Sequence, residues 1–147
     1  MTNPAAPEPT GRLYTSNLPG LKKLNTQADR LLITRAGAEI SNVEPLRALS
    51  PSPDLFHTYL DEWKDRPYKS WWSEYERRFR RELESEEKLK ALRDVYKRLL
   101  RGQDAVLICF CKDHRYCHRR LVGEFFAEYG VRAEELNPVT VEQIDLF

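Results

Sequence analysis

Cysteine, net charge and long apolar stretches are all scarce in this chain. Only 3 cysteines occur in 147 residues, and all lie between Cys109 and Cys117. That distribution excludes a disulfide framework spread across a secreted fold and leaves thiols or metal ligands. Lys and Arg total 24 against 23 Asp and Glu, a formal charge of +1. A globally basic nucleic-acid binder is excluded, while a local basic surface is not. No apolar run approaches the ~18 residues of a membrane helix. The opening, MTNPAAPEPT, has no basic-then-apolar signal pattern, so the expected compartment is the cytoplasm, with no membrane partner. No internal repeat is evident.

What remains is a chain 41% hydrophobic and 32% charged, long enough for one domain with a buried core. Residues 1–11, with Pro4, Pro7 and Pro9, read as a disordered arm. Leu13 to Asn17 reads as a first strand, Leu21 to Asp29 as a short helix, and Arg30 to Thr34 as a buried strand left through Gly37. Pro45, Pro51 and Pro53 make 38–54 mostly loop, with at most one helical turn near Leu46. Leu55, Tyr59 and Trp63 mark a helix face, as do Trp72, Tyr75, Phe79 and Leu83 after a Ser73–Glu76 capping box. Ser85 caps a further helix carrying Leu89, Leu92, Tyr96 and Leu99, which Gly102 ends.

Ala105 to Phe110 is apolar on both faces, as a central parallel strand is. A loop to Cys117 leads into a helix with Leu121, Val122, Phe125 and Phe126, ended by Gly130, and Val131 to Leu136 reads as one more strand. Strands alternating with helices predict an α/β fold: a small three-layer sandwich with a short, mainly parallel, Rossmann-like sheet and an inserted helical pair. The domain spans 12–136, and 137–147 form a tail.

The chemistry concentrates in Cys109-Phe-Cys111-Lys-Asp-His-Arg-Tyr-Cys117-His118-Arg119-Arg120. Ligands of open α/β sheets bind beyond the carboxyl ends of strands, where helix N–H groups are free. Cys117 falls at a helix start, where the dipole, Arg119 and Arg120 favour a thiolate. Lys112, Arg119 and Arg120 with those N–H groups suit a phosphate or carboxylate. Three readings stand. One is an anion or nucleotide pocket, with or without a reactive group, which in an enzyme would be Cys117 or His118. Another is a zinc site from Cys109, Cys111, Cys117 and His118 (or His114), at a spacing unlike the usual fingers. The last is buried, inert cysteines beside solvated bases. The pocket is favoured, no metal is favoured, and no cofactor is expected apart from that zinc alternative. A phosphatase-like Cys-x5-Arg cradle fails, since Cys117 follows Cys111 by six residues and the Cys109–Arg115 span lacks glycines.

Cys109-x7-Cys117-His118-Arg119 after an apolar strand resembles the C-terminal signature of the domain of unknown function 488 family, Cys-x-Glu-Lys-Asp-x3-Cys-His-Arg. Arg35-x-Gly37, the segment Leu49 to Leu55, and Trp72-x2-Tyr75-x3-Phe79-x2-Glu82-Leu83 resemble its YeaO-like branch. The resemblance runs over residues 12 to 136. It implies a compact α/β fold and a polar pocket from Arg35, Lys112, Asp113, Cys117, His118 and Arg119, without naming a reaction. Cys111 departs from the pattern, standing where one branch has Glu and the other a small residue. Any acid–base role of that Glu is absent here, and the zinc reading gains. Arg35 also has a physical case: after a buried strand it emerges at the same sheet edge as the Cys109–Arg120 loop.

The last five residues, Gln143-Ile144-Asp145-Leu146-Phe147, resemble the bacterial sliding-clamp binding pentapeptide Gln-Leu-(Ser or Asp)-Leu-Phe. Leu146 and Phe147 supply two apolar anchors and Gln143 an orienting amide. The alternative is a final strand packing Val139, Val141, Ile144 and Leu146 on the domain. Elsewhere, Arg77, Arg78, Arg80 and Arg81 interleave with Trp71, Trp72, Tyr75 and Phe79. Helical spacing favours core-facing aromatics, with arginines solvated or paired with Glu74, Glu76, Glu82 and Glu84, over a nucleic-acid surface. Adjacent Trp71 and Trp72 cannot both face the core fully, so one is expected at the surface or lining a pocket. The leading expectation is a DNA-linked repair or modification accessory that binds DNA or a nucleotide. The alternatives are a non-enzymatic binding module and a zinc or thiol-redox protein.

Overall fold

The computed structural model describes residues 8–35, 37 and 39–139. Five parallel strands form one sheet: β1 (Leu13–Ser16), β2 (Ala28–Leu32), β3 (Glu44–Pro45), β4 (Asp104–Ile108) and β5 (Glu134–Glu135), in the order β3-β2-β4-β1-β5. β4 lies at the centre, pairing Ala105 to Ile108 with Leu13 to Ser16 on one side and Asp104 to Ile108 with Ala28 to Leu32 on the other. Its alternation serves both faces. Ala105, Leu107 and Cys109 join the larger core, while Val106 and Ile108 join the smaller one.

All four α-helices among the described residues pack on the larger-core face: α1 (Pro53–Thr58), α2 (Trp72–Glu82), α3 (Glu86–Leu100) and α4 (His118–Phe125). The opposite face is covered more thinly, by Leu21, Leu24, Ile40 and Val43 from turns and loops over Tyr14, Leu32 and Leu136. The α/β sandwich is therefore lopsided, helical on one side and irregular on the other.

Local chemistry explains the element ends. Ser52 and Ser85 each accept a hydrogen bond from the backbone N–H three residues on, capping α1 and α3. Expected boundaries shift in several places, β2 among them, which runs Ala28–Leu32 rather than from Arg30 to Thr34. The 21–29 helix is a 3-10 turn, Pro19–Lys23, because β2 already begins at Ala28. The helix expected through Trp63 changes after Thr58 into a wider turn, Tyr59–Trp63. The N-cap of α2 is Trp71, with no side-chain cap, and Glu76 instead accepts from Arg80. The strand expected over 131–136 is two residues long. At the amino end, the Thr10 and Gly11 N–H groups bond the Leu99 carbonyl, which ties part of the expected arm to α3. Of the tail, Asn137 bonds Asn17 and the Val139 N–H donates to His114 Nδ1. The pentapeptide at 143–147 lies outside the described residues.

Among the described residues no helix is long and apolar enough to cross a membrane.

Candidate functional site

The neighbours β2 and β4 send their chains in opposite directions across the sheet, β2 to β3 at one edge and β4 to β5 at the other. Such a reversal opens a crevice beyond the carboxyl ends of the two strands. A cleft of about 570 Å³ lies there, between the Thr34-Arg35 exit of β2 and the Cys109–Lys112 exit of β4. Arg35 and His118, 83 positions apart in the chain, line the same cleft. Gly37, with φ 139°, turns the β2 exit, and a Cβ there would lie 2.9 Å from the Phe110 ring.

The lining is basic and aromatic. Arg35, Lys64 and Lys112 are its cations, Tyr59, Tyr68 and Trp71 form much of the wall, and no Asp or Glu lines it among the described residues. Arg35 Nε donates to the Pro51 carbonyl at 2.6 Å, which fixes the guanidinium while its two terminal amino groups have no hydrogen-bond partner among the described residues. Thr34 Oγ1 is buried at the edge of the cleft with no hydrogen-bond partner among the described residues. A buried hydroxyl left unpaired costs about 1–3 kcal/mol, which a ligand acceptor would recover.

Sulfur and imidazole form the floor. Cys109 Sγ lies 3.9 Å from Cys111 Sγ and 3.7 Å from His118 Nδ1. Cys109, Cys117 and His118 bring their donor atoms within 4.8 Å of one another. His118 Nε2 sits 2.6 Å from the Ile33 carbonyl, and since a carbonyl only accepts, Nε2 carries the proton and Nδ1 presents a lone pair to the sulfurs. Burial pushes the His118 pKa down, which keeps the ring neutral.

Cys117 does sit at the N-cap of α4, yet the thiolate expected there is corrected. The residue is 1% exposed, and burial, reinforced by the two neighbouring thiols, pushes its pKa well up. Hydrogen bonds from the Cys111 and Cys117 thiols and the nearby Arg119 charge hold Cys109 well down instead. Cys111 is the exposed member of the three, and hydrogen bonding to Cys109 pushes its own pKa up.

Three anion-site expectations go elsewhere. Arg119 is fully buried, paired with Glu135 at 2.9 Å, and donates to the Cys111 carbonyl and to Cys117 Sγ, so it braces the loop from behind. Arg120 points away from the cleft, bonding Glu124 at 2.8 Å and lying over the Trp72 ring. Asp113 accepts from the Arg115 backbone and guanidinium, closing the turn His114–Tyr116. Of the anion-binding set, the cleft holds Arg35 and Lys112.

The aromatic wall was only partly foreseen. Of the tryptophan pair, Trp71 lines the cleft while Trp72 stacks on Tyr75. Tyr68 stacks on Tyr116 at 4.1 Å and is 43% exposed, a flat surface at the mouth. Tyr59 enters from the wide turn after α1, a distortion often found at functional sites. Tyr68, Lys64 and Thr34 carry no sequence signal of their own. The arginines of α2 behave as the plain reading expects: Arg77 and Arg78 bond Glu74, and Arg80 bonds Glu76 and Glu124.

Residues 13–130 match the family model DUF488-N3a, described as the active DUF488-N3 subclade. The chain belongs to that family. No curated protein and no solved structure gives a significant match.

Proposed function

We propose that this DUF488 chain binds a nucleotide, or a nucleotide unit exposed in DNA, in the cleft beyond β2 and β4, and serves DNA repair or modification. One observation carries the reading: a cleft walled by aromatic faces, bearing three cations and no carboxylate among the described residues. Its chemistry complements a planar base joined to a phosphate. Arg35, braced by Pro51, offers a fork of donors to phosphate oxygens, with Lys64 and Lys112 adding mobile charge. Tyr68, 43% exposed at the mouth, offers a stacking face, with Tyr59 and the buried Trp71 behind it in the wall, and a stacked base is worth about 1–3 kcal/mol. The buried Thr34 hydroxyl gains a partner on binding.

The Gln143-Ile144-Asp145-Leu146-Phe147 tail supplies delivery in this reading, docking on the bacterial sliding clamp. Two apolar anchors give an affinity on the order of micromolar. That suffices where the clamp already encircles DNA and raises the local concentration. Delivery of this kind also suits a chain whose net charge is only +1.

Quenching of tryptophan fluorescence, followed as a deoxynucleoside 5′-monophosphate is titrated in, tests the pocket. The expected order of affinity is nucleotide above both the parent nucleoside and inorganic phosphate, because base and phosphate contacts add. Equal affinity for nucleotide and phosphate would reject the stacking wall, and no saturable binding would reject the pocket.

A further inference from the structure

We infer that the floor of the cleft is a metal site, and that Cys109, Cys111, Cys117 and His118 hold one zinc ion. The donor set is three sulfurs and one imidazole nitrogen, without a carboxylate, which is the chemistry of tetrahedral zinc. The spacings agree with that geometry. Zn–S bonds of about 2.3 Å at tetrahedral angles put sulfurs about 3.8 Å apart, and a Zn–N bond of about 2.0 Å puts the nitrogen about 3.5 Å from each sulfur. The chain has Cys109 Sγ at 3.9 Å from Cys111 Sγ and at 3.7 Å from His118 Nδ1. Cys109, Cys117 and His118 hold their donor atoms within 4.8 Å of one another, and Cys111, next to Cys109 but outside that trio, closes on the ion from the exposed side.

The surrounding contacts are those a metal ligand needs. The His118 Nε2–H bond to the Ile33 carbonyl fixes the tautomer and ring plane so that Nδ1 faces the sulfurs. Arg119 donates to Cys117 Sγ and to the Cys111 carbonyl, so its charge lies beside the thiolates while the loop that carries them is held. Two of the sulfurs hang on rigid elements, Cys109 just past β4 and Cys117 at the cap of α4. Cys111 is exposed on the cleft side, so an ion enters from the cleft. Binding releases the thiol protons to solvent and changes no oxidation state. This inference does not rest on nucleotide binding.

The test is metal analysis of the full-length chain, reduced and stripped with a chelator, then titrated with zinc alone. One equivalent of zinc per chain is expected. Cobalt(II) in its place is expected to give the thiolate-to-metal charge-transfer band and the intense visible bands of a tetrahedral site. Cys111→Ser removes an exposed ligand without touching the core and should weaken zinc binding at least about tenfold. Lys90→Gln, an exposed change on α3, should leave it unaltered. Failure of the folded, reduced chain to bind stoichiometric zinc would overturn the site. So would an octahedral cobalt spectrum, or a Cys111→Ser variant with wild-type affinity. Circular dichroism of the stripped chain separates loss of fold from loss of a site: a stripped chain that unfolds and refolds on adding zinc alone supports the inference.

Discussion

Replacing Arg35 with Ala is the sharpest perturbation of the cleft. Its guanidinium spends one N–H on the Pro51 carbonyl and keeps its terminal amino groups for a ligand, and no carboxylate pairs with it among the described residues. A hydrogen bond to a charged group is worth about 1.5–3 kcal/mol, so Arg35→Ala should weaken nucleotide binding by about 10–150-fold. Lys112 lines the cleft as an exposed side chain. Its replacement by Gln should cost about 0.2–1 kcal/mol, roughly 1.4–5-fold. Isothermal titration calorimetry of both variants with a deoxynucleoside 5′-monophosphate reads the two numbers, and urea denaturation checks that each variant is folded. An Arg35→Ala chain that binds as the wild type does, or a Lys112→Gln chain that loses as much as Arg35→Ala, would refute the assignment of Arg35 as the anchored phosphate ligand.

Other consequences follow from the same contacts. Arg119→Met leaves Glu135 without its cation in a largely buried position, and should lower unfolding free energy by about 3–5 kcal/mol in urea titrations. Burial holds the Lys88 ammonium below its ordinary range. The unfolded chain thus retains that proton at pH values where the folded chain has released it, and stability should rise with pH through the window just below about 10.4. The difference in unfolding free energy between the wild type and Lys88→Met, measured from pH 8 to 10.5, should grow in favour of the wild type, and a pH-independent difference would dispose of the idea. Deleting Leu146 and Phe147 should abolish sliding-clamp binding in surface plasmon resonance while leaving the thermal midpoint unchanged. A lowered midpoint would mark the tail as structural.

Much of the architecture was legible because it depends on periodicity. β4 shows itself as a run apolar on both faces, and α2 and α3 through stripes that include Phe79 and Leu99, both fully buried. The short edge strands were legible only in part: Glu134–Glu135 lies within the strand expected over 131–136, whereas Glu44–Pro45 falls in a stretch read as loop and owes its pairing to β2 rather than to any pattern of its own. The site divides in the same way. Strand order, set by long-range pairing, brings Arg35 beside the cysteine loop, and both lie where a residue just past a strand is expected to emerge. The sequence showed Arg119 as a positive charge but could not show its partner, because Glu135 reaches it only once β5 has docked on β1. Cys117 misled for a related reason. A helix start lowers a thiol pKa only while the sulfur is near solvent, and here burial outweighs the dipole.

The most direct measurement is a crystal structure of the chain with a deoxynucleoside 5′-monophosphate bound. The account predicts the phosphate within hydrogen-bond distance of Arg35 and the base against Tyr59, Tyr68 or Trp71. A nucleotide seated elsewhere, with the cleft between β2 and β4 filled only by solvent, would contradict it.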